Sequence, residues 1–372
     1  MSVQDLQSQL NTARRQVVTD GYDMSLGEIA SLYRNKELVI DPNYQRLFRW
    51  EESQKTRFIE SILLGIPVPP VFVFQRENGV WELIDGLQRI STVLQLTGDL
   101  LTPEGAPYDR LVLGGTNLLP ALAGMKWEGA DGTEDDEAFN VALQLEIKRA
   151  RMRVEILRKE SDQDTKFELF QRLNTGGSKL SEQEVRNSVL VMINPEFFAW
   201  MARLTEIESF RETVQLTDSQ RRQQQHVEMA LRFIAYRRHP YARGLDVNEY
   251  LDDAARKLAH LTAAEMEEER DLFRWVFDTL RSAEGPDVFK RWDGERHTGK
   301  FLISGFDAIA FGVALNRRAI EDMEPEAREA WLAQRVRSLW SEPRYVNNSG
   351  MGVRGTTRLT HLLPFGRDHF AG

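Results

Sequence analysis

The sequence predicts an α+β protein: a small mixed sheet in the N-terminal part, followed by a mostly α-helical C-terminal domain. Three observations carry that expectation. Residues 71–77 (VFVFQRE) and 80–85 (VWELID) are strand-like runs on either side of Asn78-Gly79, the pair favoured in a two-residue hairpin turn. The second run passes straight into Asp85-Gly86-Leu87-Gln88-Arg89 and then into Ile90, Val93 and Leu94 at helical spacing, which makes a strand–turn–helix unit with glycine in the turn. From about residue 195 to 340 nearly every stretch has helical periodicity, broken at Asn194-Pro195, His239-Pro240, Gly285-Pro286 and Glu324-Pro325, where proline withholds a backbone donor.

The remaining elements follow in chain order. Residues 1–20 read as a polar leader, helical from Asp5 to Val18. Leu26, Ile29, Ala30 and Tyr33 are spaced for a helix over 25–34, and ELVIDP gives a short strand that must stop at Pro42. A helix over 52–64 presents Phe58, Ile59, Ile62 and Leu63 on one face and ends at Gly65 and a proline-rich run. Residues 99–140 are glycine-rich and mixed, an irregular insertion with short elements. ARMRVEIL (150–157) alternates charged and apolar residues as a strand does. A helix over about 162–173 leads to the loop Asn174-Thr175-Gly176-Gly177, and Ser181 with Glu184 is the capping-box signature of the next helix. The last thirty or so residues lose the periodicity and read as a basic, glycine-rich tail carrying Arg344, Arg354, Arg358 and Arg367. The expected domains are therefore 21–195, 196–340 and a tail over 341–372.

Composition bounds the chemistry. The 372 residues, 41% hydrophobic, suffice for a real core, and the net charge is −9. An acidic balance argues against a protein whose whole surface grips nucleic acid or anionic lipid. DNA is a possible partner only through a local concentration of positive charge. The absence of cysteine excludes thiol catalysis, disulfides and thiolate metal sites. No apolar stretch approaches a membrane span and the N-terminus lacks a signal-peptide core, so a soluble, cytoplasmic protein is expected. The six histidines lack HExxH spacing, and neither a GxxxxGK[ST] loop nor a GxSxG elbow occurs, which leaves out zinc hydrolases, P-loop NTPases and α/β-hydrolase chemistry at the motif level.

Three segments concentrate groups with chemical potential. The DGLQR turn aims the N–H groups of a helix N-terminus outward, a geometry that suits an anion. Arg89 adds a fork for phosphate oxygens, and Gln88, Ser91 and Thr92 add neutral polar groups. Asp85 beside a phosphate makes sense only with a cation between them. The same residues fit a bland alternative, with Asp85 capping the helix and Arg89 pairing with it at the surface. In Tyr44-Gln45-Arg46, followed by Phe48 and Trp50, a cation among aromatics could hold a base and a phosphate, or the aromatics are simply core. In QRLNTGGSKLSEQEVRN, Arg172, Asn174 and Thr175 precede two glycines that allow close backbone approach, and Gln183, Glu184, Arg186 and Asn187 follow on one helix. A helix–loop–helix corner is the alternative there.

Taken together, Ile40 to Gly98 (IDPNYQRLFRW…SILLGIPVPPVFVFQ…GVWELIDGLQRISTVLQLTG) and FELFQRLNTGGSKLSEQEVRN resemble the ParB/sulfiredoxin-like fold. The resemblance is closer to the N-terminal domain family of the GmrSD restriction system. Its hallmarks are a DGQQR motif and an RLNTGG loop followed by a QE-x-RN helix, and the similarity covers about residues 20–195. It implies a nucleotide site made by Asp85, Gly86, Gln88 and Arg89 with Tyr44, Gln45 and Arg46 beside it. Arg172, Asn174, Thr175, Gly176 and Gly177 would close that site, with Glu184, Arg186 and Asn187 behind them. Asp85, Gln88 and Arg89 would be the catalytic residues, and Asp85 and Glu60 would hold Mg²⁺. Two departures matter: Leu87 replaces the middle glutamine, and the C-terminal HNH nuclease half of fused members is not expected. His361-Leu362-Leu363-Pro364 has only eight residues after it, too few for such a site.

The resemblance thus implies a nucleotide-binding, NTP-hydrolysing regulatory component of an anti-phage or restriction system, Mg²⁺-dependent, with a nucleoside triphosphate as substrate or ligand. Its partner would be a separately encoded nuclease or ATPase subunit, and a homo-oligomer is possible. The alternatives are a ParB-like DNA nickase or endonuclease, and a non-catalytic nucleotide sensor gating another enzyme. Leu87 favours the last.

Overall fold

The computed structural model describes residue 5 and residues 19–45, 48, 50–129, 137–158, 181–241, 244–350 and 352–371, the side chains of Thr19, Asn43 and Tyr44 excepted. The expected leader helix, apart from Asp5, and the expected helix over 162–173 lie outside the described residues. The chain divides into two compact units, Met1–Lys179 and Leu180–Gly372.

The first unit is built on a mixed five-stranded sheet. Its strands are β1 (Thr19–Ser25), β2 (Leu38–Val39), β3 (Val71–Gln75), β4 (Trp81–Asp85) and β5 (Arg151–Leu157), in the spatial order β1-β5-β3-β4-β2. β1–β5 and β3–β4 are antiparallel, β5–β3 and β4–β2 parallel. In β5 the alternation read from the sequence is realised: Met152, Val154 and Ile156 are buried, Arg151 and Arg153 exposed and Glu155 half-buried. Helix α1 (Leu26–Arg34), capped by Ser25 accepting from the Glu28 amide, buries Leu26, Ile29 and Ala30. After the short α2 (Pro42–Gln45), helix α3 (Glu52–Leu63) buries Thr56, Phe58, Ile59 and Glu60. Helix α4 (Leu87–Thr97) is buried along most of its length. Between α4 and helix α5 (Val141–Arg149), the irregular segment contributes Leu100, Leu111, Leu113, Trp127 and Phe139 to the core.

The β3–β4 hairpin departs from the expected two-residue turn. The Gly79 amide bonds the Arg76 carbonyl, the Arg76 amide bonds the Val80 carbonyl, and Gly79 has φ +82°. This is a three-residue loop closed by a left-handed glycine, in which Asn78-Gly79 serves the bulge. Strand β1 was not anticipated: TDGYDMS is an edge strand too polar to show apolar alternation.

The second unit is helical. Helix α6 (Glu182–Ile193) starts with the predicted capping box at Ser181 and Glu184. It packs on α7 (Pro195–Thr205), α10 (Gln225–Arg238) and α11 (Val247–Leu258). Helices α8 (Glu208–Thr213), α9 (Asp218–Arg222), α12 (Ala263–Glu284), α13 (Ile303–Leu315), α14 (Arg317–Glu321) and α15 (Pro325–Leu339) complete most of it. Phe210, Phe233, Phe273, Phe277, Phe289 and Phe306 form a contiguous aromatic core. A small hairpin, β6 (Arg291–Trp292) with β7 (His297–Thr298), interrupts the helices; two-residue strands are too short to read from periodicity.

The basic tail expected over 341–372 is a misreading. Residues 343–369 form α16 (Pro343–Ser349) and α17 (Gly355–His369), and Leu359, Leu362 and Phe365 are buried. Glycine serves contact there, not freedom. A Cβ on Gly366 would come within 3.0 Å of the Ala308 carbonyl carbon, and one on Gly312 within 2.8 Å of the Gly366 carbonyl carbon. The α13 and α17 backbones therefore cross at glycine distance. Among the described residues no helix is long and apolar enough to cross a membrane.

Candidate functional site

The β4–α4 turn builds the site proposed from DGLQR. β4 ends at Asp85, and Gly86 stands at the N-cap with φ +98° and ψ +14°. Two constraints select glycine here. The left-handed backbone disfavours a side chain, and a Cβ would meet Val71, whose Cβ would be 2.9 Å away. No side chain caps α4. The first N–H groups of a helix have no partner within it, and the macrodipole places partial positive charge on them.

The side chains of the turn divide between the mouth and the core. Arg89 donates from Nη2 to Asp85 Oδ2 at 2.7 Å and from Nη1 to the Pro69 carbonyl at 3.0 Å. Asp85 thus pairs with Arg89, as the bland alternative held, but does not cap the helix. Gln88 accepts from the Trp50 backbone N–H at 3.0 Å, tying the 48–50 segment to the first turn of α4. Leu87 is buried, so this departure from the family hallmark lies on the core side of the helix. Ser91 and Thr92 are also fully buried. Thr92 Oγ1 donates to the Gln88 carbonyl, and Ser91 Oγ has no hydrogen-bond partner among the described residues.

Of the Tyr44-Gln45-Arg46 segment, Arg46 and the Tyr44 side chain lie outside the described residues. Gln45 is buried, and its Nε2 donates to the Leu101 carbonyl. The aromatics that follow pack edge-on, Phe48 on Tyr108 with ring centroids 5.9 Å apart and Trp50 on Phe58 at 5.6 Å. Glu60 faces the irregular segment, where Oε1 accepts from Thr116 Oγ1. Among the described residues no three Asp, Glu or His side chains gather to hold a metal ion.

Arg172, Asn174, Thr175, Gly176 and Gly177 all lie outside the described residues. The helix after that loop is described, in the second unit, and its polar residues are buried as one network. Arg186 Nε donates to Asp252 Oδ1 at 2.7 Å, and Nη1 donates to Gln183 Oε1. Gln183 Nε2 donates to Asn187 Oδ1 at 2.7 Å. Glu184 receives the Ser181 amide at 2.7 Å. Two buried donors, Arg186 Nη2 and Asn187 Nδ2, have no hydrogen-bond partner among the described residues.

Sequence reasoning did not single out Lys55 or Gln95, which meet beside this segment. Lys55 Nζ donates to Gln95 Oε1 at 2.8 Å and lies 4.4 Å from the centre of the Phe48 ring. Their separation of 40 residues leaves no local signal.

Residues 26–191 match the model of the family described as GmrSD restriction endonuclease, N-terminal domain. The family is a component of restriction systems by that description. No curated protein and no solved structure matches the chain.

Proposed function

With residues 26–191 belonging to the GmrSD restriction endonuclease N-terminal domain family, we propose that the protein is a nucleotide-binding, NTP-hydrolysing regulatory component of a restriction or anti-phage defence system. The observation that carries this reading is the β4–α4 turn, where Gly86 brings strand end and uncapped helix start together with Arg89 and Asp85 at its mouth. The phosphates of a nucleoside triphosphate would lie against the Leu87, Gln88 and Arg89 amides, where the helix field favours an anion. Arg89, 13% exposed in its side chain and ion-paired at 2.7 Å, would exchange Asp85 for phosphate oxygens.

The magnesium ion that accompanies such a ligand would be held chiefly by Asp85. Mg²⁺ commonly takes one or two carboxylates and completes its shell with phosphate oxygens and water, so it does not require a gathered set of three protein ligands. Glu60, already bonded to Thr116, would join it only by giving up that contact. The bound ion would neutralise charge on the phosphates. The helical unit would be the part that engages a separately encoded nuclease or ATPase subunit.

Calorimetric titration with ATP, GTP and CTP in Mg²⁺ tests the assignment. Arg89→Ala removes charge-assisted bonds worth about 1.5–3 kcal/mol, so affinity should fall by about 10- to 100-fold. The pair is largely buried, so Arg89→Ala also leaves Asp85 and the Pro69 carbonyl without their donor and should lower stability by about 1–3 kcal/mol; a circular dichroism melt of the variant checks that it is folded at the titration temperature. Unchanged affinity in Arg89→Ala would overturn the site. A sensor that binds without hydrolysis is the second reading, favoured by the Arg89–Asp85 pair that occupies both groups and by the inward-facing Leu87. Phosphate release by the purified chain decides between them.

A further inference from the structure

In the helical unit, a groove of about 1150 Å³ runs between α15 and the β6–β7 hairpin. It is roomier than the roughly 300–1,000 Å³ of a small-molecule pocket. On the α15 side, Ala330, Ala333, Gln334, Arg337 and Ser338 are spaced i, i+3, i+4, i+7 and i+8, so they share one helix face. Ala330, Gln334 and Arg337 are exposed, and Ala333 and Ser338 are half-buried. That face spans about 12 Å, the length of about four residues of extended chain. Its alanines let an incoming backbone come close, and the Gln334 amide can both donate to it and accept from it.

Arg337 is fixed in this groove by the fold. Its guanidinium lies 4.7 Å from the centre of the Trp292 ring, and its Nε stands 2.8 Å from Glu284 Oε1. Both anchors are held in turn. The Glu284 side chain is 1% exposed and also bonds His297 Nε2 at 2.5 Å, and the His297 ring meets Trp292 edge-on at 5.1 Å. Neutralising Glu284 engages only the Nε side of the fork. Nη1 and Nη2 have no hydrogen-bond partner among the described residues, and the side chain is 47% exposed. An ordered guanidinium with two uncommitted nitrogens matches a carboxylate in bidentate fashion, with much of its ordering cost already met. Arg291, on the hairpin side of the groove and without an ion pair among the described residues, adds a second positive charge.

We propose that this groove docks an acidic segment of a separately encoded subunit, an extended stretch whose Asp or Glu carboxylate is taken by Arg337. Charge complementarity favours a peptide over a nucleic acid. The groove offers two cations, Arg291 and Arg337, whereas nucleic-acid binding draws on many phosphate contacts. The Asp293 carboxylate, fixed at the groove by the Glu295 and Arg296 amides at 2.9 Å, would also oppose a row of phosphates. The inference deepens the reading that the helical unit engages another subunit and rests on it, and it is independent of the nucleotide site.

Two measurements on the full-length protein test it. In the first, phage display of random heptapeptides on the wild-type protein supplies the probe, a synthetic peptide of the enriched consensus. That consensus should carry a fixed Asp or Glu, and Arg337→Gln should weaken its binding at least about tenfold, the loss expected for one charge-assisted contact. Exchanging the peptide's carboxylate for its amide should cost wild type a similar factor and Arg337→Gln little. Because Arg337→Gln also takes a counter-charge from Glu284, Ala330→Trp is the second variant. It fills the exposed groove, leaves that pair intact and should lose the peptide as well, with thermal melts checking that both variants are folded. No enriched peptide, a consensus without a carboxylate, or equal binding by wild type and both variants overturns the groove. So does an oligonucleotide that binds there more tightly than the peptide and depends on Arg337. In the second measurement, tagged wild type and both variants are purified from the cells that encode the protein. A stoichiometric second chain should accompany wild type and be lost from the variants. If it accompanies all three alike, the subunit reading stands and the groove falls. If the acidic peptide binds as described but no second chain accompanies wild type, the acidic-segment site stands and the subunit reading falls. If there is neither, both are overturned.

Discussion

Gly86 is held by two independent demands, a left-handed backbone and the nearness of Val71. Gly79, on the hairpin turn of the same sheet, has φ +82° and nothing within 4 Å of where a Cβ would stand. Alanine at Gly79 should therefore cost only the conformational penalty, about 1–2 kcal/mol. Alanine at Gly86 should cost that plus the displacement of Val71, typically another 1–3 kcal/mol. Urea unfolding of the two variants gives the comparison, and Val71→Ala should recover part of the Gly86→Ala loss. Equal losses would mean that space at Val71 is not the constraint. The residues of the turn were legible in the sequence because a glycine between strand and helix and an arginine four after an aspartate are local patterns. Lys55 was not, because its partners are side chains brought by tertiary packing. Ser91 and Thr92 were read as site hydroxyls from proximity in sequence alone. Helical rotation carries them into the core.

Elements were legible where they carry a period or a punctuation mark. The capping box at Ser181, the proline breaks and the alternation of β5 all show in the sequence, and each has a local physical cause. The elements that were missed lack one. β1 is a polar edge strand, and the β6–β7 hairpin is short. The α13–α17 crossing uses Gly312 and Gly366 for close approach, which in sequence looks like a flexible tail. Because the obstacles at that crossing are backbone carbonyls, which cannot rotate away, Gly366→Ala or Gly312→Ala should destabilise the protein by about 1–3 kcal/mol or more. A thermal melt of either variant indistinguishable from wild type would show that the helices are not in backbone contact.

Charge organises the whole molecule in a way that net charge alone does not convey. The chain is acidic at −9, yet several of its charges are inside. Burial raises Asp307 to about 6; Arg232 opposes this, while Glu228 adds to it. Arg232 itself remains a cation, since Tyr236, Asp307 and Glu228 together outweigh its own desolvation. Burial also disfavours the charge on His297, but its bonds to Glu284 at 2.5 Å and to the Lys290 carbonyl at 2.9 Å raise its pKa above the ordinary value. Both groups bind protons more tightly folded than unfolded. The stability they contribute is present at low pH and lost as pH rises, through about 4–6 for Asp307 and above about 6.5 for His297. For Asp307 the full swing is about 3 kcal/mol. Thermal melts from pH 5 to 8 should therefore show decreasing stability from these groups. Asp307→Asn should flatten the lower part of that profile and His297→Gln the upper part. An unaltered profile in both variants would contradict the assignment.

The central claim is that a nucleotide's phosphates occupy the start of α4. Hydrogen–deuterium exchange of the intact protein, with and without nucleoside triphosphate and Mg²⁺, tests it most directly when read on peptides spanning residues 84–97. The account predicts slowed exchange at the amides of Leu87, Gln88 and Arg89, lost in Arg89→Ala. Bound nucleotide that leaves those amides unchanged would contradict it.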